Sequence, residues 1–199
     1  MDPDVEQAVA FHGHMCPGLA IGVQAARYAL REIGAHAQDE EVVAVVETDM
    51  CAVDAIQSLT GCTFGKGNLI HRDIGKNAFT FYRRSDGKGV RLLTKADAWG
   101  PKDPASEELG KRARSGKASA AEQAAFWTQH RKRADEMLAR ADTELFEVTP
   151  VTAAPPRPAR IHTSLTCAEC GESTMETRTR QFGGKTLCIP CFERADTLV

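Results

Sequence analysis

The segment NLIHRDIGKNAFTFYRRSDGKGVRLL (68–93) decides the fold class. Within it, NLIHRDI, NAFTFYRR and GVRLL read as three short strands. β-branched and aromatic residues cluster in each, between residues that favour turns. Ser85-Asp86-Gly87 is the turn signal between the second and third. Strands that follow one another without intervening helices predict an α+β domain, not a doubly wound parallel sheet.

Toward the N-terminus the pattern changes period. Residues 4–11 (DVEQAVAF) suggest a short helix, and HGHMCPG then breaks regular structure with two glycines and a proline. Apolar residues recur at helical spacing from Leu19 to Ile33, with Gly34 as a stop. VVAVV (42–46) is a short β-branched run and predicts a buried strand. AVDAIQSL (52–59) predicts a helix ended by Gly61, followed by the glycine-rich loop GCTFGKGN. Toward the C-terminus, residues 104–143 predict one or two amphipathic helices with a break near Ser115-Gly116, and LFEV (145–148) predicts a last strand.

The stretch TPVTAAPPRPAR carries four prolines and predicts an extended spacer. The expected organisation is therefore a core domain over 1–149, a proline-rich linker over 150–163 and a small module over 164–199. No internal repeat is visible.

That module reads TCAECGESTMETRTRQFGGKTLCIPCFE. Two Cys-x-x-Cys pairs, Cys167/Cys170 and Cys188/Cys191, stand seventeen residues apart, within the spacing of a four-cysteine zinc site. Each pair brings two thiolates to one side of a turn, about 3.5 to 4 Å apart, as tetrahedral zinc requires. METRTRQF followed by Gly183-Gly184 predicts a hairpin, and Cys191-Phe192-Glu193-Arg194 the start of a helix. Knuckle, hairpin and helix together describe a treble-clef zinc finger. A redox Cys-x-x-Cys and a pair of disulfides are the competing readings. Four thiolates close the coordination shell, so this structural zinc would fold the module rather than catalyse.

Composition narrows the function classes. The 42% hydrophobic and 26% charged content is that of a globular chain. A formal net charge of −2 argues against a general binder of nucleic acid or acidic membranes. Arg157, Arg160, Arg178, Arg180 and Lys185 gather around the finger, but a solvated charged surface accounts for them better than a nucleic-acid contact does. No apolar run is long enough to span a bilayer, and MDPDVEQAVA lacks the order of a signal peptide. A cytoplasmic location is the expectation. In that compartment seven cysteines are not a disulfide framework.

The other three cysteines fall in the first third of the chain. His12, His14 and Cys16 alternate just before Pro17, which suits the first position of a helix. Cys16 would then cap that helix, where free N–H groups and the helix dipole stabilise a thiolate. Cys51 follows the buried strand, with Asp54 one turn on. Cys62 lies in the glycine-rich loop with Lys66 and Asn68 just beyond. Gly67 stands where a phosphate-binding P-loop needs Ser or Thr, yet the loop could still hold an anion with Lys66 as a point charge. Thiolates beside imidazoles form a donor set for a soft transition metal. The alternatives are small buried cysteines and ordinary capping residues.

These motifs also carry a resemblance. Phe-His-Gly-His-x-Cys-Pro-Gly (11–18), and ETDMCAVDAIQSLTGCTFGKGNLIHRDIGKNAFTF (47–81), resemble the two signature blocks of the FmdE family, which takes its name from formylmethanofuran dehydrogenase. Ala52 stands where that family commonly has glycine. Many members end in a treble-clef zinc finger, matching 167–191. The resemblance implies an α+β core, frequent homodimers and a cleft between the two blocks. The implied core metal positions are His14, Cys16 and Cys51, together with His12 and Cys62, with Asp54, Lys66 and Asn68 lining the same cleft. Zinc is the first choice for this second transition metal.

Three functions follow as expectations. The first is a metal-binding accessory of a molybdenum or tungsten enzyme or of metal supply, with the finger contacting a protein partner. The second is a stand-alone enzyme acting on a small anion, with Cys16, Cys51, Asp54 and Lys66 as candidate catalytic groups. The third and weakest is a regulator that binds nucleic acid through the finger.

Overall fold

The structure is a computed structural model; it describes residues 2–101 and 103–197. The chain forms two compact units, Met1–Pro158 and Ala159–Val199.

The first unit begins with α1 (Pro3–His12), capped by Asp2 and closed by Gly13 at φ 96°, a left-handed conformation that glycine adopts without strain. α2 (Pro17–Glu32) is the central helix, and Leu19, Ala20, Ile21, Val23, Ala25 and Ala26 are all buried. β1 (Val42–Val46), α3 (Ala52–Thr60) and β2 (Leu69–His71) form a parallel crossover unit. β3 (Ala78–Arg83) and β4 (Gly89–Thr94) then pair antiparallel. After a short 3-10 turn at Ala96–Trp99 come α4 (Pro104–Arg114), α5 (Ala120–Leu138), the one-turn α6 (Asp142–Leu145) and β5 (Phe146–Val151). The sheet has five strands in the order β2-β1-β3-β4-β5. Mixed helix and sheet of this kind is the α+β class the strand run predicts.

Alternation along the strands gives the sheet two different faces. Ala44, Val46, Phe79, Phe81, Val90 and Leu92 join the helical core, while Val43, Val45 and Tyr82 form a small second cluster. The tightest packing lies between α2 and α3. A Cβ on Gly22 would stand 2.6 Å from the Ala52 Cα and closer still to the Ala52 carbonyl oxygen. The two helix backbones are therefore in contact, and this contact brings Cys16 and Cys51, at the two helix starts, to the same place.

Some elements differ from the sequence expectation. β2 covers only Leu69–His71 of NLIHRDI, because it is an edge strand paired solely to β1. Leu145 ends α6 rather than opening a strand, since the Glu144 carboxylate accepts from the Ala141 N–H (2.9 Å) and caps that turn. Pro150 and Val151, expected in the linker, pair with Val90 and Gly89 in β5. An edge strand tolerates a proline that an inner strand would not. The break near Ser115-Gly116 is present, and Ser119 and Glu122 form a capping box that restarts the helix as α5.

The second unit holds β6 (Ser164–Thr166) and β7 (Ser173–Met175), then β8 (Thr179–Phe182) and β9 (Lys185–Cys188), then α7 (Ile189–Asp196). Of METRTRQF, only TRQF is the hairpin strand, because Glu176–Arg178 form a 3-10 turn. Gly183 and Gly184 both take positive φ in the β8–β9 turn.

Candidate metal centre

Cys16 is the N-cap of α2, and its Sγ accepts the Leu19 N–H at 3.3 Å. Cys51 stands at the N-cap of α3 with its Sγ uncommitted to a cap. His12 ends α1. The ligand atoms of His12, Cys16 and Cys51 all lie within 4.8 Å of one another. That is near the spacing tetrahedral coordination sets, about 3.5 to 4 Å between donors. Burial, and then the neighbouring Cys16 thiol, push Cys51 up to about 11, outweighing what the helix start offers a thiolate. A bound cation would reverse that balance.

The histidine carries the most informative detail. Its Nδ1 is 2.7 Å from an Asp54 carboxylate oxygen. An ionised carboxylate only accepts, so Nδ1 donates to it, and a neutral imidazole in this arrangement presents the lone pair of Nε2. That Nε2 is buried and has no hydrogen-bond partner among the described residues. Carboxylate, imidazole and an aimed free nitrogen form the support typical of a metal-bound histidine.

The thiols open into a cleft of about 560 Å³. His14, Met50 and Pro17 line one side, and Trp99, Phe126, Trp127 and His130 another. The rings of Phe126 and His130 are 4.1 Å apart, and those of His14 and Trp127 5.4 Å apart. Burial, then the Arg133 and Arg114 guanidiniums and His14, hold His130 below its usual range.

In the second unit, the sulfur ligand atoms of Cys167, Cys170, Cys188 and Cys191 also lie within 4.8 Å of one another. The Cys188 N–H donates to Cys167 Sγ (3.3 Å). Backbone N–H groups of Cys170 and Cys188 lower Cys167 to about 6, as suits a thiolate ligand. An Arg194 guanidinium N–H donates to Cys191 Sγ at 2.9 Å.

Residues 11–147 match the family model described as FmdE, Molybdenum formylmethanofuran dehydrogenase operon. The chain belongs to the FmdE family. Residues 162–196 of this FmdE chain match the prokaryotic dksA/traR C4-type zinc finger. A probable S-adenosyl-L-methionine-binding protein of Archaeoglobus fulgidus is 34% identical over 93% of the chain. The chain spans about half (51%) of that relative's length. The crystal structure of a tungsten formylmethanofuran dehydrogenase FmdE-like protein from Syntrophus aciditrophicus superposes with a TM-score of 0.62. It is 25% identical, over 96% of this chain and 91% of the other. No helix among the described residues is long and apolar enough to cross a membrane.

Of the core positions read from the sequence, His12, Cys16, Cys51 and Asp54 converge. His14 stands past the Gly13 turn, exposed at the cleft, with its ring 4.6 Å from that of His12. Cys62 lies elsewhere, buried, with its thiol donating to the Val42 carbonyl (3.4 Å) and pushed up by burial. Lys66 and Asn68 do not line the cleft. The Lys66 ammonium donates to the Ala37 carbonyl (2.8 Å). The Asn68 amide donates to Val42 and Asp39 carbonyls and accepts the Thr63 N–H. All three hold the glycine-rich loop against the start of β1. The cleft's far wall, from Trp99 and α4–α5, has no counterpart in the sequence reading. Its signal was Phe126, Trp127 and His130 on an otherwise charged helix.

Proposed function

We propose that this FmdE-family chain is a metal-binding protein with a three-residue transition-metal site in its core unit, in addition to its C4-type finger. His12 Nε2, Cys16 Sγ and Cys51 Sγ would be the protein ligands, and Asp54 would orient the histidine. The observation that carries this is the buried, unpartnered Nε2 beside two thiols, with Asp54 on the opposite ring nitrogen. Leaving such a nitrogen buried and unused costs about 1 to 3 kcal/mol, which a cation would offset. Two thiols and one imidazole suit zinc or another borderline-soft metal.

Three protein ligands leave one position of a tetrahedral ion for an exogenous group, and that position would face the cleft. Such a site supports two uses. One is accessory handling of a metal for a molybdenum or tungsten enzyme, with the finger docking a protein partner. The other is chemistry on a small molecule at the open position, favoured by the aromatic cleft beside the thiols.

Cobalt(II) substitution tests the reading. Metal-free protein titrated with cobalt should show two thiolate-to-cobalt absorption steps. Cys51→Ser should abolish one and leave the finger's step intact. A single step, untouched by Cys51→Ser, overturns the core site.

A further inference from the structure

Arg114 and Arg133 both line the cleft that opens on Cys16 and Cys51. Neither has a carboxylate in salt-bridge contact among the described residues, although Arg27, Arg31, Arg83, Arg84, Arg91, Arg112 and Arg131 each have one. The acid that senses Arg133 is Asp103, and its carboxylate already accepts from the Ser106 hydroxyl (2.6 Å) and N–H (3.0 Å) to cap α4. Glu107 lines only the adjoining hollow on the α4 side, not the cleft itself. Arg133 is partly buried and Arg114 is exposed, and burial and the charge of these two arginines hold His130 below its usual value. The net charge of the cleft is therefore positive, and it comes from two guanidiniums. The same lining carries flat apolar surfaces: Trp99, Phe126 and Trp127.

We propose that this cleft binds a small organic anion with a flat apolar body, its carboxylate held by Arg114 and Arg133 and its opposite end directed at the His12–Cys16–Cys51 site. The inference rests on the metal reading only for what that opposite end meets. Guanidiniums suit planar carboxylates because their N–H groups form a matching fork. The aromatic wall offers the ligand body flat surfaces to stack on. The role assigned from sequence to Lys66 as an anion holder passes to these two arginines, since the Lys66 ammonium is spent on Ala37.

Both tryptophans of the chain line this cleft, so intrinsic fluorescence reports on it directly. Full-length zinc-loaded protein would be titrated with benzoate, the simplest member of the class, and with benzyl alcohol, its neutral counterpart. Benzoate should quench saturably and bind at least roughly tenfold more tightly than benzyl alcohol. The double variant Arg114→Gln/Arg133→Gln should lose that preference, and Arg114→Lys/Arg133→Lys should recover part of it. Unchanged far-UV circular dichroism would establish that both variants fold. Equal binding of the two probes, or benzoate binding by the glutamine variant at wild-type strength, overturns the proposal. Cys16→Ser separates the two readings: it should remove the core metal yet keep benzoate over benzyl alcohol. A protein that discriminates the probes but never holds a core metal would leave this inference standing and defeat the metal reading. A protein that holds the metal but does not discriminate does the opposite.

Discussion

His12 Nδ1 and Asp54 Oδ2 meet at 2.7 Å although they stand 42 positions apart in the chain, one at the end of α1 and the other in the first turn of α3. This pair fixes the tautomer that leaves Nε2 free beside Cys16 and Cys51. Asp54→Asn keeps the shape and removes the charge. Core metal affinity should fall about 10- to 100-fold, the usual cost of losing such a support. Competition with a chelator of known affinity measures it. Unchanged affinity would mean that Asp54 gives the histidine no support as a ligand.

Gly22 should accept no larger residue. Gly22→Ala drives a methyl carbon into the Ala52 backbone, 2.6 Å from its Cα, and backbone cannot give way as a side-chain tip can. The core unit should lose about 1 to 3 kcal/mol of stability. Urea unfolding followed by tryptophan fluorescence reads this unit alone, because Trp99 and Trp127 both belong to it. Core metal should weaken too, since the same helix contact sets the distance between the two thiols.

Glu47 and Arg91 form a bidentate pair (2.7 and 2.8 Å) that ties the end of β1 across to β4. The Arg91 guanidinium holds the Glu47 carboxyl below its usual value. The sign follows from linkage. A lowered folded value means that the folded state binds the proton less readily, so the stabilisation is present above the unfolded value of about 4.3 and is lost below it. Glu47→Gln should therefore destabilise the core unit by about 1 to 2 kcal/mol at pH 7. The gap to wild type should narrow as the pH is taken from 7 to below that unfolded value. Urea midpoints at the two pH values check this, and a gap that stays constant with pH would refute it.

The finger depends on its metal more than on its packing. Its buried apolar cluster consists of Leu187 and three of the four cysteines, with Phe182, Phe192 and Ala195 partly buried against it. A chelator strong enough to strip the four-cysteine site should make residues 164–196 susceptible to proteolysis while the core unit stays resistant. Equal resistance with and without chelator would contradict a metal-held fold.

How much of this was legible in the sequence depends on the range of the interaction. Local signals carried well. Pro17 after Cys16, the Gly61 stop, the Ser85-Asp86-Gly87 turn and the paired Cys-x-x-Cys units each depend on neighbours a few positions away. Long-range pairing was harder to read. That His12 rather than His14 joins the thiols follows from the left-handed Gly13 turn and from Asp54, 42 positions on. Cys62 looked like Cys16 and Cys51 in its loop, but its thiol is turned to the Val42 carbonyl inside the core. The aromatic and arginine wall on α4 and α5 was hidden because its charged residues look like any solvated helix face. Only the placement of that face over α2 makes it a cleft.

Counting metal atoms per chain by elemental analysis decides whether the core unit holds an ion in addition to the finger's. Protein purified with zinc present should hold two equivalents per chain. Cys16→Ser should hold one, retained by the finger, and Cys188→Ser should hold one, retained by the core. A wild-type chain that holds one equivalent, lost on Cys188→Ser and unaffected by Cys16→Ser, would mean that His12, Cys16 and Cys51 hold no metal.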